Sequence, residues 1–211
     1  MISVLTPSIR PEFLDLTQEC LEQQTFNDFE WLVEIGLRSH GYQLPSDLNK
    51  LLKRAKGERV VMLQDCIKIE PNTLEMIDQL PNEMITFPVG KTLKFDGHVE
   101  WDWRAYKEWD IQPHQWEADF ASAPLQAFID VGGYDEDFNN GWSWENVEVA
   151  WRINALQKYT FLCNPHIKAV ALDHDQIREN PFRGKAPNND KRAHETRLKA
   201  ERGVYKLDYL S

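Results

Sequence analysis

Paired cysteines are absent from this sequence. Its three cysteines, Cys20, Cys66 and Cys163, are odd in number and widely separated, and none belongs to a CxxC pair. This spacing gives no support to a disulfide framework or to a zinc site, since both need paired cysteines. We therefore expect three buried free thiols in a reducing compartment, which predicts a cytoplasmic protein.

Long apolar runs and an excess of positive charge are absent as well. No segment approaches the ~18 consecutive apolar residues of a spanning helix, and the N-terminus enters an apolar run without a basic leader. We expect an unsecreted protein without a membrane span. The net charge of −10 at pH 7 argues against a general nucleic-acid binder, although a local basic patch is compatible with it.

The chain has the length and composition of one globular domain, with 211 residues, 42% of them hydrophobic and 27% charged. Apolar, partly β-branched residues predict a strand over residues 2–6, a loop over 7–11 and a second strand over 29–34, with a helix between them. Further helices are predicted over residues 47–56, 71–80, 121–130, 145–157 and 190–202, and further strands over 60–63, 85–89, 159–163 and 169–172. This order predicts an α/β fold.

Three stretches resemble GT-A glycosyltransferases of the family 2-like kind. They are SVLTPSIRPEFL with the later EWLVEIG, then GERVVMLQDC, and then VGGYDEDFNNGWSWENVEVAWR. The third resembles the galactosyltransferase-type acceptor motif. The resemblance implies a Rossmann-like nucleotide-binding domain with a mostly parallel sheet and helices on both faces. It covers a donor-nucleotide half, residues 1–90, and an acceptor half, residues 91–175, before a basic C-terminal helical tail, residues 176–211.

On the donor side, the resemblance assigns nucleotide contacts to Thr6, Pro7, Arg10 and Glu34. A carboxylate such as Glu34 can accept hydrogen bonds from the imide N–H of uracil or from ribose hydroxyls. The family carries paired aspartates here, whereas this chain has Glu34 followed by Ile35. The resemblance implies a nucleotide-sugar donor, with a UDP-sugar as the expected one.

A divalent cation is implied by two further residues. The strand over residues 60–63 delivers Asp65 to its C-terminal end, where relatives carry a DxD motif that binds the donor diphosphate through Mn²⁺ or Mg²⁺. His174 follows the last predicted strand and by resemblance completes the metal site. Here Asp65 stands between Gln64 and Cys66, so a contact from Asp65 to ribose in a metal-free enzyme stays an alternative.

On the acceptor side, the resemblance assigns the general base to Glu145, at the start of a predicted helix. A carboxylate beside an acceptor hydroxyl can take its proton during an inverting displacement. Trp142 and Trp144 are expected to wall a sugar acceptor, and Asp135 to orient the loop or the acceptor. Glu148 and Arg152 are one helical turn apart and predict an ion pair.

The function implied is transfer of a sugar from a nucleotide-sugar to a glycan or another hydroxyl acceptor. One alternative is a glycosyltransferase that acts on hydroxymethylated bases of phage DNA. Residues 176–211 carry nine basic and five acidic side chains, a local charge of +4, and would contact the DNA together with the aromatic segment 91–116. Another alternative is a non-catalytic nucleotide- or glycan-binding module. A nucleotidyltransferase is disfavoured, because its glycine-rich basic first loop is absent.

Overall fold

The computed structural model describes residues 1–36, 43–93, 99–101, 116, 119–139, 144–172, 189–203 and 206–210. For residues 87–93, 99–101, 189 and 190 it describes the backbone alone.

Eight strands and six α-helices make up this part of the chain. The strands are β1 (Ile2–Ser8), β2 (Phe29–Ile35), β3 (Arg59–Leu63), β4 (Ile67–Ile69), β5 (Met84–Leu93), β6 (Val99–Trp101), β7 (Phe120–Pro124) and β8 (Thr160–Leu172). The helices are α1 (Leu14–Glu22), α2 (Leu44–Arg54), α3 (Thr73–Asp78), α4 (Leu125–Val131), α5 (Glu145–Ala155) and α6 (Asn189–Glu201). Short 3₁₀ turns cover Pro11–Phe13 and Glu136–Phe138.

The strands form one mixed sheet in the order β2-β1-β3-β7-β5-β8-β4, with β6 paired to β5 outside that path. β1 runs parallel to β2 and β3, and β5 runs parallel to β8. The other described pairings are antiparallel. The sheet therefore combines long parallel ladders with antiparallel pairings, and β7 lies antiparallel between β3 and β5.

β7 occupies residues that the sequence predicted as the start of a helix. All five of its residues are buried, and the Ser122 hydroxyl accepts from the Arg59 guanidinium at 3.2 Å. Small side chains such as Ala121 and Ala123 suit a tightly packed central strand, so tertiary packing overrides their helical propensity. Pro124 ends the strand, and α4 begins one residue later.

β8 joins two strands that the sequence predicted separately. Its pairing with β5 jumps from Asn164, opposite Pro88, to Lys168, opposite Val89. The residues between these two partners form a bulge that contains Pro165. Because proline cannot donate to a ladder, a bulge is where a strand tolerates it.

Helices cover both faces of the sheet, as predicted. Leu5, Val60 and Met62 pack on the face covered by α2, α4 and α5. Their neighbours Val4 and Val61 pack on the face covered by α1 and α3. This alternation follows the two-residue period of a strand and gives the molecule one core on each side of the sheet. All three cysteines are buried free thiols, which confirms the prediction.

The described helices include none that is long and apolar enough to cross a membrane.

Candidate functional site

The predicted donor residues lie at the edge where the parallel strands β1, β2 and β3 end. Pro7 pairs with Glu34 across the β1–β2 ladder, so β1 continues two residues beyond its predicted end, to Ser8. Asp65 follows β3 by two residues. Ligands of open α/β sheets bind outside the carboxyl ends of the strands. The fold thus assembles one candidate nucleotide site from three separate segments.

Asp65 is held in a buried cluster with Ser8 and Arg10. The Ser8 hydroxyl donates to Oδ2 of Asp65 at 2.5 Å and accepts from the backbone N–H of Arg10 at 2.9 Å. The Arg10 guanidinium donates through Nε to Oδ2 at 3.3 Å and through Nη2 to Oδ1. Asp65 is only 1% exposed, so Arg10 neutralises its charge inside the protein.

The Arg10 cation is strongly fixed. Burial lowers the pKa of Arg10, but Asp65 and Cys66 raise it, and the net effect is an increase, so the guanidinium stays protonated. Its carbon Cζ lies 5.4 Å from the ring centroid of Phe13. Sequence reasoning missed Ser8, whose position between Pro7 and Arg10 in the first resembling stretch was the available signal.

Thr6 has a different place from the one expected. It is fully buried within β1, and its hydroxyl accepts from Nε1 of Trp31 on β2 at 2.9 Å. Side chains of a strand inside a sheet point into the layers above and below it. The Thr6 hydroxyl is engaged there by the Trp31 indole. Its burial therefore argues against a direct contact between the Thr6 side chain and a donor.

Two cations of α2 hold Glu34. Nζ of Lys50 lies 3.1 Å from one carboxylate oxygen of Glu34, and Nη1 of Arg54 lies 3.2 Å from the other. Lys50 also lies 2.8 Å from Asp47. Burial is the largest cause of the raised pKa of Asp47; Lys50 opposes the increase, and Glu34 and Glu136 add to it. The side chain of Glu34 keeps 23% of its surface exposed, so it reaches solvent with its charge balanced.

On the acceptor side, α4 ends in two glycines with positive φ, 75° at Gly132 and 87° at Gly133. The C-terminal segment docks on this turn. The N–H of Leu207 donates to the carbonyl of Val131 at 2.9 Å, and the N–H of Tyr209 donates to the carbonyl of Gly132 at 3.1 Å. A Cβ on Gly132 would lie 1.5 Å from the Leu207 carbonyl oxygen. The turn therefore needs glycine both for its conformation and for the approach of the tail.

Asp135 is engaged by the same C-terminal region. Arg192 of α6 donates to both of its oxygens, at 2.7 to 2.9 Å, and the Tyr209 hydroxyl donates to Oδ1 at 3.3 Å. Arg192 also lies 2.5 Å from Asp137 and stacks over the Phe138 ring at 5.6 Å. Asp135 therefore connects the turn after α4 to the C-terminal region, and its role toward the loop or the acceptor stays a prediction. The tail, expected as a separate region, packs against the acceptor half.

α2 connects the donor edge to the acceptor loop. The side-chain amide of Asn49 donates to the Tyr134 carbonyl and to the Glu136 carboxylate, both at 2.9 Å, and its oxygen accepts from the N–H of Tyr134 at 2.8 Å. Other residues of α2 hold Glu34, as described above. One helix thus fixes both halves of the candidate site, and Asn49 carried no sequence signal of this role.

Glu148 and Arg152 form the predicted ion pair, but it is buried rather than solvated. Arg152 donates through Nε and Nη2 to the two Glu148 oxygens at 2.6 and 2.7 Å. Its Nη1 and Nη2 also donate to the carbonyls of Val131 and Gly133 at 2.8 Å. The side chain of Arg152 is 1% exposed and that of Glu148 is 0% exposed. Arg152 therefore ties α5 to the glycine turn.

Glu145 is the first residue of α5 and is 4% exposed. It follows Trp144, which has φ of 77°, a rare conformation for a bulky residue. The Trp144 ring is 36% exposed and lies 5.9 Å from Trp151, and the Arg197 guanidinium of α6 lies 5.4 Å from the Trp151 ring. A buried carboxylate thus adjoins a partly exposed tryptophan; the roles of general base and acceptor wall stay predictions.

Two predicted site residues, Trp142 and His174, lie outside the described residues. No group of three or more His, Cys, Asp or Glu side chains that could hold a metal ion occurs within the described ranges. The prediction that Asp65 and His174 bind a divalent cation therefore gains no support from the described part of the chain.

No family model matches the chain, and no curated protein matches it by sequence. Solved structures do. The structure of S. aureus TarS 1–349 in complex with UDP matches with a TM-score of 0.62 and 14% identity, covering 85% of this chain and 62% of that one. The same protein in complex with UDP-GlcNAc gives a TM-score of 0.60 and 13% identity, covering 82% and 58%.

GalNAc-T7 with UDP, GalNAc and Mn²⁺ matches with a TM-score of 0.55 and 12% identity, covering 82% of this chain and 43% of that one. The chain therefore spans less than two thirds of the length of these structures. At such low identity the likeness concerns the fold. The mixed sheet, the helices on both of its faces and these matches show that the chain has the fold of GT-A glycosyltransferases.

Proposed function

We propose that this protein is an inverting glycosyltransferase that moves a sugar from a UDP-sugar to an acceptor hydroxyl of a glycan or another molecule. The observation that carries the proposal is the likeness of its fold to proteins solved with UDP and UDP-GlcNAc. A fold alone does not define a reaction, so the mechanism is argued from the individual residues of the candidate site.

The donor nucleotide lies at the edge formed by β1, β2 and β3, with Pro7, Arg10, Glu34 and Asp65 as its surroundings. Glu34 is partly exposed and reads the base or the ribose through its carboxylate oxygens. Ion pairs with Lys50 and Arg54 hold this carboxylate in place. The Arg10 cation faces the negative charge that builds up on the leaving diphosphate.

Glu145 acts as the general base. Its carboxylate takes the proton of the acceptor hydroxyl as the acceptor oxygen forms a bond to the anomeric carbon. The bond between that carbon and the UDP oxygen breaks, and UDP leaves with the electron pair. Attack from the face opposite to UDP inverts the anomeric centre. Proton transfer of this kind accelerates reactions by about 10²–10⁴-fold.

The acceptor packs against the partly exposed Trp144. Trp142, which lies outside the described residues, forms a second wall of the acceptor site in this proposal. The aromatic face suits a sugar ring, while the buried ties of Asp135, Asn49 and Arg152 keep the loop in place. A DNA acceptor is a weaker alternative, because Arg192, one of the cations of the basic tail, is used inside the protein by Asp135 and Asp137.

A screen of UDP-, GDP- and CDP-sugars by thermal shift tests the donor class. We expect a UDP-sugar to raise the melting temperature the most, and equal or absent shifts with all three classes would contradict the proposal. Any turnover of the bound donor excludes a non-catalytic binding module. Salt-sensitive binding to duplex DNA would instead favour the DNA acceptor.

A further inference from the structure

The resemblance of the chain and the Mn²⁺ bound by GalNAc-T7 both point to a divalent cation at the donor diphosphate. The described residues do not fit one. The neighbours of Asp65 are Gln64 and Cys66, neither of which is a carboxylate. Cys66 is 6% exposed, and its sulfur is a poor ligand for a hard cation, which prefers oxygen ligands.

Asp65, the acidic residue of the segment 64–66, has both oxygens engaged by the protein. Oδ1 accepts from Nη2 of Arg10, and Oδ2 accepts from the Ser8 hydroxyl and from Nε of Arg10. These bonds use three of the roughly four acceptor sites of a carboxylate. A divalent ion on Asp65 would also sit beside the guanidinium, and two positive charges so close repel each other.

Gln64 does not replace a missing ligand at this point. Its side-chain nitrogen donates to Oδ1 of Asp119 at 2.8 Å, which directs it toward the start of β7. The segment 64–66 therefore offers a sulfur atom, an amide that is bound to Asp119 and a carboxylate that is paired with Arg10. Together with the lack of any metal-binding group among the described side chains, this set opposes a resident cation.

The charge balance nevertheless matches that of a metal site. Two carboxylates and one divalent cation sum to zero. Here the charges of the Asp65 carboxylate and the Arg10 guanidinium, which form an ion pair, also sum to zero. The arginine is fixed by Asp65, by its own N–H to Ser8 and by the Phe13 ring. A guanidinium carries N–H donors in a rigid fork that matches phosphate oxygens, and it is always charged.

We propose that the Arg10–Asp65 pair takes the place of the divalent cation, so that this protein binds its UDP-sugar donor and transfers the sugar without a metal ion. Arg10 supplies the positive charge to the diphosphate, and Asp65 and Ser8 hold the guanidinium in position. The inference rests on the proposed function, since it concerns the same donor site.

Calorimetric titration of the full chain with UDP, once with EDTA and once with Mn²⁺, tests the proposal. We expect dissociation constants that agree within about twofold. Binding that needs Mn²⁺, or that tightens more than about tenfold with it, would overturn the metal-free inference and leave the glycosyltransferase proposal standing. No binding of UDP under either condition would overturn both.

Two single variants and one double variant separate the role of Arg10 in binding the diphosphate from the role of Asp65 in holding Arg10. Arg10→Gln should weaken UDP binding by about 10- to 100-fold, with or without Mn²⁺, because bonds from a charged donor are lost. Asp65→Asn removes the carboxylate that holds the guanidinium, and it should change UDP binding by the same factor in EDTA and in Mn²⁺. If Asp65 were a metal ligand, Asp65→Asn would instead remove a Mn²⁺-dependent part of the affinity.

Arg10→Gln leaves Asp65 buried without its cation and can impair folding. The double variant Arg10→Gln/Asp65→Asn removes both charges and should stay folded by circular dichroism. We expect it to show the same weakened, Mn²⁺-independent binding of UDP. Wild-type affinity in the folded double variant would overturn the role of Arg10.

Discussion

At the scale of single residues, the candidate site depends on charges that are paired inside the protein. Three ion pairs matter here: Asp65 with Arg10, Glu148 with Arg152, and Asp135 with Arg192. The first and third join segments that are distant in sequence, and the second attaches α5 to the glycine turn. The sequence predicted only the second of these pairs, because helical spacing is a local signal. The other two depend on which loops the fold brings together, and nothing in the residue types reveals that.

Removal of one partner of the buried Glu148–Arg152 pair should be costly. Glu148→Gln leaves the Arg152 cation buried without its carboxylate, and we expect a loss of about 3–5 kcal/mol of unfolding free energy, measured in urea. The matched control is Glu195→Gln, which removes the exposed partner of Lys191 at 3.8 Å and should change stability by less than about 1 kcal/mol. Equal effects of the two substitutions would contradict the structural role of the buried pair.

Gly132 offers a sharper test, because Gly203 is a natural control. Both have positive φ, 75° and 80°, but a Cβ on Gly203 meets nothing within 4 Å, whereas one on Gly132 meets the Leu207 carbonyl. Gly203→Ala should cost about 1 kcal/mol from backbone strain alone. Gly132→Ala should cost clearly more in the same urea titration, because it also displaces the C-terminal segment. Similar losses for the two variants would contradict the docking of that segment on the glycine turn.

At the scale of elements, the helix α6 and the segment after it belong to the acceptor half. Sequence reasoning predicted the helix but separated the tail as its own region, since its polar, basic composition resembles a solvated end. A few specific contacts attach the tail to this part of the chain. Arg192 and Tyr209 donate to Asp135, and two backbone hydrogen bonds reach the glycine turn. Composition cannot reveal such contacts.

The element predictions failed where tertiary packing decides the conformation. The alanines of β7 favour a helix in isolation, but the segment fills the gap between β3 and β5. Two separate strands were predicted over residues 159–163 and 169–172, but β8 runs through both and accommodates Pro165 in a bulge. The strands β1, β2 and β3 were predictable, by contrast, because apolar β-branched runs that end at the ligand edge carry their own signal.

Arg192→Gln should loosen the acceptor loop without altering the donor edge. The guanidinium is about one third exposed, so solvent screening limits the loss of unfolding free energy to about 1–2 kcal/mol. We expect faster cleavage of the C-terminal segment in limited proteolysis and unchanged UDP binding.

Lys191→Gln, on the exposed side of the same helix, is the control and should leave proteolysis unchanged. A wild-type cleavage rate in Arg192→Gln would show that the Asp135 contact does not hold the tail.

At the scale of the whole molecule, one core on each face of the sheet encloses the three thiols. All are buried, and the pKa of the Cys66 thiol is raised to about 11. We expect a thiol-reactive chromophore to label none of them rapidly in the native protein at neutral pH, and to label three on unfolding. Fewer than three thiols after unfolding without reductant would reveal a disulfide and contradict the prediction of free cysteines.

The fold of GT-A glycosyltransferases was predictable from three short resembling stretches, although no family model matches the chain. The fold survives at such low sequence identity because it depends on the apolar pattern of strands and helices rather than on particular side chains. The chemistry depends on individual residues, and here this chain departs from the family pattern: Asp65 stands between Gln64 and Cys66 and is paired with Arg10.

The central claim is that Glu145 is the base of a sugar transfer, and one comparison tests it most directly. UDP release from UDP-GlcNAc, or from whichever UDP-sugar gives the largest thermal shift, is measured for the wild type and for Glu145→Gln, with water standing in for the acceptor hydroxyl. We predict that the variant loses about 10²–10⁴-fold in rate and binds UDP with unchanged affinity. Equal rates of release, or loss of UDP binding in the variant, would contradict the account.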